Sequence, residues 1–472
     1  MNDDDTDGGS DSSPTDTPRR IVVTGASGNV GAGVLRALAR HLPDDQVIGV
    51  CRRPPATGAI YERVQWHAVD LSLPGATTRL ESAMRDADVV IHLAVAVHPV
   101  RDENYLYQAN VVGTQAVLAA MSTAGVHQLV YASSLGIYAP GSAAPVSEAW
   151  PTTGQPTSTY SRHKVVVEGV LDQFELDHPN TVVARFRPTV VVQRETASMI
   201  RSLYVGPLIP RFAYDLLRRF GLPVLPLPAG LALQFVHADD VGDAVIRLVV
   251  RRARGSYNVA ADALDGEALA ALVKGRPVDV NRRLMRTAVS ALSRLRLVAM
   301  VPGWYDVATN SPVMDTSKAR RDLGWSPSRS SAEGARELLD GLAEGAAGTS
   351  AAMGFKDGAP MDGPKALRRV HDATLVLWIA LAVTRAAGRG RAGVPDAAVI
   401  TANLVSGTPM ALDRLRERRR DPVALLAPAA VGAAVLATLR GGWTPVAAVI
   451  ALGVLAVADR RRATSSQGAT SR

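Results

Sequence analysis

The stretch Ile21-Val22-Val23-Thr24-Gly25-Ala26-Ser27-Gly28-Asn29-Val30-Gly31-Ala32-Gly33-Val34-Leu35 decides the reading of this chain. An apolar, β-branched run stops at Thr24, and glycines follow at 25, 28 and 31. Val30, Val34, Leu35 and Leu38 then recur at helical spacing. Strand, glycine turn and helix in that order bring backbone N–H groups and the positive end of a helix dipole to one point, where a pyrophosphate can sit. Gly25 permits the tight turn, Gly28 lets the backbone approach phosphates, and Gly31 lets the helix lie close to its strand. Alone, the turn also reads as a βα connection with no ligand.

Strands and helices alternate from Arg20 to about Leu171. Gln46–Val50, Val64–Val69, Asp88–Leu93 and Gln128–Ser133 read as strands, Gln108–Met121 and Ser161–Glu175 as helices, and Thr181–Phe186 as a sixth strand. This predicts an α/β fold, a Rossmann-type doubly wound parallel sheet with ligands at the carboxyl ends of its strands. After Pro188 the regularity fails. Leu233–Val236 and Asp239–Arg251 return as a strand and a helix, and residues 190–235 and 262–342 are expected to form a small substrate-binding lobe, the latter mostly helical.

The chain has 472 residues, 47% hydrophobic, enough for two or three domains. Residues 1–18 are acidic and polar and read as a disordered tail, with neither the basic n-region nor the apolar stretch of a signal peptide. The nucleotide-binding domain is expected over 19–342 and a linker over 343–365. A C-terminal α-helical segment is expected over 366–472. The net charge is +8, but no basic run is interleaved with aromatics, so nucleic acid is not an expected partner. Cys51 is the only cysteine, which suits a reducing compartment. The catalytic domain is therefore expected in the cytoplasm. No metal site is expected.

Further motifs share the order of a known family. They are Asp70-Leu71, His92-Leu93-Ala94, Asn110-Val111-Val112-Gly113-Thr114, Ser133-Ser134-Leu135-Gly136-Ile137-Tyr138, Tyr160-Ser161-Arg162-His163-Lys164, Arg187-Pro188 and Phe235-Val236-His237-Ala238-Asp239-Asp240. Together with the glycine turn, they make residues 20–342 resemble the extended short-chain dehydrogenase/reductase family, in its epimerase/dehydratase-like branch.

Tyr160 and Lys164, four apart, share a helical face. A nearby ammonium is expected to lower the phenol pKa from about 10 toward working pH, so that Tyr160 exchanges a proton with a hydroxyl or carbonyl. Ser134 is placed to hydrogen-bond the same substrate oxygen. For Asn110 the resemblance implies helix bending and a proton-relay water; the plainer reading is a helix-terminal Asn. The expected catalytic set is Ser134, Tyr160, Lys164 and Asn110. The expected cofactor set is Gly25, Ser27, Gly28, Asn29, Val30, Gly31, Arg52, Arg53, Asp70, Leu71, Leu93, Ala94, Tyr160 and Lys164.

Cofactor choice turns on Val50-Cys51-Arg52-Arg53-Pro54. A relative that prefers NAD usually carries an acid at the end of the second strand. Here two guanidiniums stand there, suiting the 2′-phosphate of NADP, with NAD as the alternative. Asp70 resembles the family residue near the adenine, though an Asp ending a strand also serves to cap a turn.

Departures from the family pattern narrow the reaction. Sugar dehydratases carry Thr-Asp-Glu where this chain has Ser134-Leu135-Gly136, so the acid pair for eliminating water is missing. Val190 and Leu233 stand where nucleotide-sugar epimerases usually carry an Asn and an Arg, which weakens a UDP-sugar reading. Arg194, Arg201 and Arg211 are candidate replacements. The segment Met199–Leu233 reads either as a lipophilic pocket or as ordinary core. The expected function is hydride transfer between a nicotinamide and an alcohol or ketone. A nucleotide-sugar epimerase is the alternative, and a non-catalytic NADP-binding scaffold or sensor a second. A homodimer through the helices carrying Asn110 and Tyr160 is implied by the resemblance.

Pro422–Leu439 and Gly441–Ala458 are uncharged, with Arg440 between them and Arg clusters on both flanks. Each run would span roughly 27 Å as helix, the short limit for crossing a bilayer. The flanking arginines fit a membrane hairpin over 422–458 with both ends cytoplasmic. The high alanine content fits a soluble helical hairpin equally.

Overall fold

The computed structural model describes residues 18–354 except 56–57, 98–101, 143, 206–210 and 295–297. The acidic tail to residue 17, the helical segment 366–472 and the hairpin 422–458 lie outside the described residues. Among the described residues no helix is long and apolar enough to cross a membrane.

In chain order the first elements are β1 (Arg20–Thr24), α1 (Asn29–His41), β2 (Gln46–Cys51), β3 (Val64–Ala68), α2 (Ala76–Met84) and β4 (Val89–His92). Next come α3 (Glu103–Tyr107), a π turn (Gln108–Val112), α4 (Gly113–Ala124), β5 (Gln128–Ala132), α5 (Thr159–Asp177) and β6 (Val182–Pro188). The lobe interleaves with the end of the sheet: β7 (Val190–Val192), α6 (Ala197–Ile200), α7 (Arg211–Phe220), β8 (Val224–Pro228), β9 (Leu233–His237), α8 (Ala238–Val250) and β10 (Gly255–Val259). The last are β11 (Ala263–Leu264), α9 (Gly266–Leu272), β12 (Arg276–Val280), α10 (Arg282–Arg294), α11 (Pro302–Asn310), α12 (Ser317–Leu323) and α13 (Ser331–Glu344).

Seven strands form one sheet in the order β10-β6-β5-β4-β1-β2-β3, and every pairing in it is parallel. Parallel crossovers cover both faces with helices, which is why β1 reads as a continuous apolar run. Ile21 and Val23 face a layer with Val34, Leu38, Val245 and Leu323, while Val22 faces Leu80, Val117, Met121 and Leu171. The strand order reverses between β1 and β4, so the glycine turn and the loop after β4 open the crevice where ligands sit in such sheets.

Residues 262–342 are mostly helical, and the lobe also holds strands: β7, β9 and β11 form a small mixed sheet, and β8 pairs with β12. One expectation needs correction. The region expected to be a linker from residue 343 stays packed on the domain through residue 354, with Ser350 and Met353 buried. Its Gly, Ala, Ser and Thr composition hides this, because the contacts run through backbone groups, the Ser350 hydroxyl and one methionine.

Candidate active site

The glycine turn fits a dinucleotide. Gly25 has φ +70°, and a Cβ there would lie 2.7 Å from the Ala94 nitrogen, so the first turn closes directly on the loop after β4. A Cβ at Gly31 would lie 2.4 Å from the Ala26 carbonyl oxygen, so α1 sits tight against the turn. Gly28 is the N-cap of α1; no side chain caps the helix and no acid stands in its first turn. The first-turn amides at Asn29, Val30 and Gly31 are thus left to an anion. The Asn29 side chain itself turns away, donating to the Val191 carbonyl (2.8 Å) and accepting from Gln193 (2.7 Å).

The adenosine end is more mixed. Arg52 and Arg53 are exposed just past β2, and Arg52 donates to the Tyr105 hydroxyl of α3. Asp70 caps a turn, its Oδ1 accepting from the Ser72 amide (3.0 Å) and hydroxyl (2.7 Å). One carboxylate oxygen is therefore committed within the protein. Leu71 packs where a Cβ on Gly113 would sit, 2.8 Å from its Cβ. Leu93 is core, and Ala94 is half-buried beside Gly25.

The expected catalytic residues converge. Tyr160 and Lys164 sit on the first turns of α5, Ser134 follows β5, and Asn110 lies on the π turn. At Asn110 the helix leaves α-helical pairing for this π turn. Asn110 donates to the Ala96 carbonyl (2.9 Å) and accepts from the Ala96 amide (2.7 Å), clamping the loop after β4. A cavity of about 10 Å³, the room of one water, is lined by Asn110, Tyr131, Tyr160, His163 and Lys164.

The electrostatics correct one expectation. Burial pushes the Tyr160 phenol above its usual pKa, and a hydrogen bond with Ser134 pulls it partly back. The Lys164 ammonium, aimed at other partners, does not offset that burial. Lys164 donates to the Ala132 carbonyl (2.5 Å) and the Tyr131 hydroxyl (3.1 Å) and lies 6.0 Å from the Tyr160 ring centre. Burial lowers the Lys164 pKa to about 7, against an opposing pull from Glu168. Tyr160 is thus held neutral at pH 7, fit to give a proton rather than to take one.

Behind the site the remaining motifs form a buried scaffold. Arg187 pairs with Glu168 (Nη2–Oε2 2.6 Å) and donates to the Tyr138 hydroxyl (3.1 Å), and Tyr138 donates to Asn258 (2.6 Å). His92 bridges Thr24 (2.6 Å) and Thr114 (3.0 Å), and burial lowers its pKa to about 3. His237 caps α8, and Asp240 anchors Ser328 and Arg329, so both are structural.

Two residues escape the sequence reading: Trp304 of α11 stacks on Tyr160, and Tyr131 holds Lys164. Tyr204, from the segment Met199–Leu233 expected as pocket or core, meets the Trp304 ring edge-on at 5.6 Å. Only the aromatic character of the first two was visible, and α11 lies far from α5 in sequence. Arg194, a candidate for phosphate binding, is paired with Glu344.

The family model of the NAD dependent epimerase/dehydratase family matches residues 21–260. The chain belongs to that family. A 2'-dehydrokanamycin reductase of Streptomyces kanamyceticus is 29% identical over 246 residues, 51% of this chain and 61% of the relative. A UDP-glucose 4-epimerase 2 of Oryza sativa subsp. japonica is 29% identical over 164 residues, 32% of this chain and 40% of the relative. The chain thus spans less than two thirds of the length of either relative. A UDP-glucose-4-epimerase of Stenotrophomonas maltophila, solved with bound NAD and formylated UDP-arabinopyranose, aligns with a TM-score of 0.53 at 20% identity, covering 69% of this chain and 98% of that one. That likeness concerns the fold.

Proposed function

We propose that this protein reduces a ketone to a secondary alcohol, or runs the reverse reaction, with NADP(H) as the hydride carrier and a ring-shaped substrate lying against Trp304. The observation that carries the reading is the stack of Trp304 on Tyr160, centroids 4.7 Å apart. It gives the proton-transferring phenol an aromatic wall, and such a wall suits the C–H face of a sugar or an alicyclic ring better than a diphosphate. The named activity of the Streptomyces kanamyceticus relative, a reductase, agrees with this reading.

When bound, the nicotinamide supplies or accepts the hydride at the substrate carbon. Ser134 hydrogen-bonds the substrate oxygen and orients it toward the phenol. Tyr160, neutral at pH 7, gives its proton to the oxygen that gains negative charge. The Lys164 ammonium, close by in a buried site, stabilises the phenolate that remains. Asn110 holds the loop after β4 in place.

Preference for NADP over NAD rests on Arg52 and Arg53 at the end of β2 with no acid beside them. A homodimer through α4 and α5 is supported by exposed Tyr107, Val112 and Val166 on and beside those helices, and light scattering on the purified full chain tests it. The second reading, nucleotide-sugar epimerisation, is favoured by the names of relatives such as the rice enzyme. One experiment separates the two. The purified full chain is given NADPH with a panel of cyclic ketones, and separately UDP-glucose with NAD. Net NADPH oxidation supports the reductase; interconversion of UDP-glucose and UDP-galactose without net cofactor change supports the epimerase.

A further inference from the structure

We propose that residues 346–354 form part of the dinucleotide site, as a strap that holds the glycine turn from outside and is tightened by cofactor binding. The inference rests on the dinucleotide reading given above.

Past α13 the chain reverses at Gly345, whose φ is +70°. The Ala346 carbonyl then accepts from the amide (3.1 Å) and hydroxyl (3.0 Å) of Ser198 on α6, fixing the start of the strap to the substrate lobe. Its other end reaches the nucleotide turn. The Ser350 hydroxyl donates to the carbonyl oxygen of Ser27, inside the glycine-rich turn, at 2.6 Å. The strap folds on itself there: the Gly354 amide donates to the Ser350 carbonyl (2.6 Å), and the Met353 amide reaches the Ser350 hydroxyl (3.3 Å). Ser350 is 1% and Met353 2% exposed, so this is a packed contact.

Ser27 also lies beside the Cys51 thiol at the end of β2 and holds its pKa down against burial. Ser350 also lies beside the Tyr61 phenol, and the Thr349 hydroxyl lies where a Cβ on Gly58 would come within 2.7 Å. Gly58 and Tyr61 belong to the connection that follows Arg52 and Arg53. The strap therefore touches both pieces of chain that the adenosine end of a dinucleotide would meet. A ligand that fixes the turn must stabilise the strap, and loosening the strap must weaken the ligand by the same factor. A buried carbonyl losing its donor makes the effect measurable, about fivefold for one hydrogen bond.

The test uses the full chain, with NADPH and NADH titrated by fluorescence and with amide hydrogen exchange followed over residues 346–354. Ser350→Ala is expected to weaken both dinucleotides about fivefold. In the unsubstituted chain, saturating NADPH is expected to slow exchange at Met353 and Gly354 by a similar factor while amides within α13 keep their rates. Affinity within twofold of the unsubstituted chain, or strap exchange indifferent to NADPH, overturns the proposal and leaves the cofactor reading intact. Failure of the unsubstituted chain to bind either dinucleotide overturns both.

Discussion

The indole of Trp304 lies over the phenol of Tyr160 with ring centroids 4.7 Å apart and planes 29° from parallel. The proposed proton donor and the wall against which a substrate ring would rest are thus one packed unit, although α5 and α11 are distant in sequence. Trp304→Ala is expected to raise KM for a cyclic ketone about tenfold, with a smaller change in kcat, and Trp304→Phe to restore most of the loss. An unchanged KM in the alanine variant would remove Trp304 from the substrate site.

Lys164 is expected to set the pH dependence. Its pKa is lowered to about 7 by burial, so its charge is full below that value and lost above it. Ketone reduction needs the charged form to stabilise the Tyr160 phenolate, so kcat should fall as pH rises through about 7. Tyr131 accepts a hydrogen bond from the ammonium at 3.1 Å. Removing that acceptor favours the neutral amine, so Tyr131→Phe is expected to move the falling limb to lower pH. A limb that stays in place in this variant, or that moves up, contradicts the assignment.

A second titration concerns stability. His92 is neutral and fully bonded between Thr24 and Thr114, with its pKa lowered from 6.5 to about 3 by burial. The unfolded chain binds that proton near 6.5 and the folded chain only near 3, so the fold loses stability as pH falls between these values. The loss is up to about 1.4 kcal/mol per pH unit. Urea unfolding at neutral pH and midway through this window should show a smaller acid loss in His92→Gln than in the unsubstituted chain. Equal losses would show that other groups carry the acid sensitivity.

Two helices meet without side chains between them. A Cβ on Gly33 of α1 would come 2.0 Å from the carbonyl oxygen of Ala238, and one on Gly242 of α8 would come 2.4 Å from that of Gly33. Backbone cannot yield as a side-chain tip can. Gly33→Ala is expected to cost about 2 kcal/mol or more, seen as a lowered Tm, whereas Gly169→Ala on α5, where a Cβ meets nothing within 4 Å, should not lower it. A Gly33→Ala protein as stable as the parent would contradict the packing described.

Much of this site was legible because its chemistry is local. The glycine spacing fixes a βα turn, and Tyr160 and Lys164 share a helix face by their separation alone. Ser134 and Asn110 came from the family resemblance of Ser133–Tyr138 and Asn110–Thr114. Side-chain direction was not legible: nothing in the spacing tells that Lys164 turns to Tyr131 and Ala132. Trp304 was hidden because tertiary packing of the lobe brings α11 over α5, whereas Tyr204 lay in the apolar segment that reads as pocket or core. Ser350 was hidden because a buried serine in a Gly- and Ala-rich stretch looks like a linker until its partner, a backbone carbonyl of Ser27, is known.

The central claim, that Tyr160 is the proton-transferring residue of a dinucleotide-dependent reductase, is tested most directly by Tyr160→Phe. NADPH affinity and NADPH oxidation with a cyclic ketone that the unsubstituted chain turns over are measured on the same preparation. The variant is expected to keep affinity within about twofold of the parent, with turnover lowered by roughly 10²–10⁴-fold. Turnover close to that of the parent would contradict it.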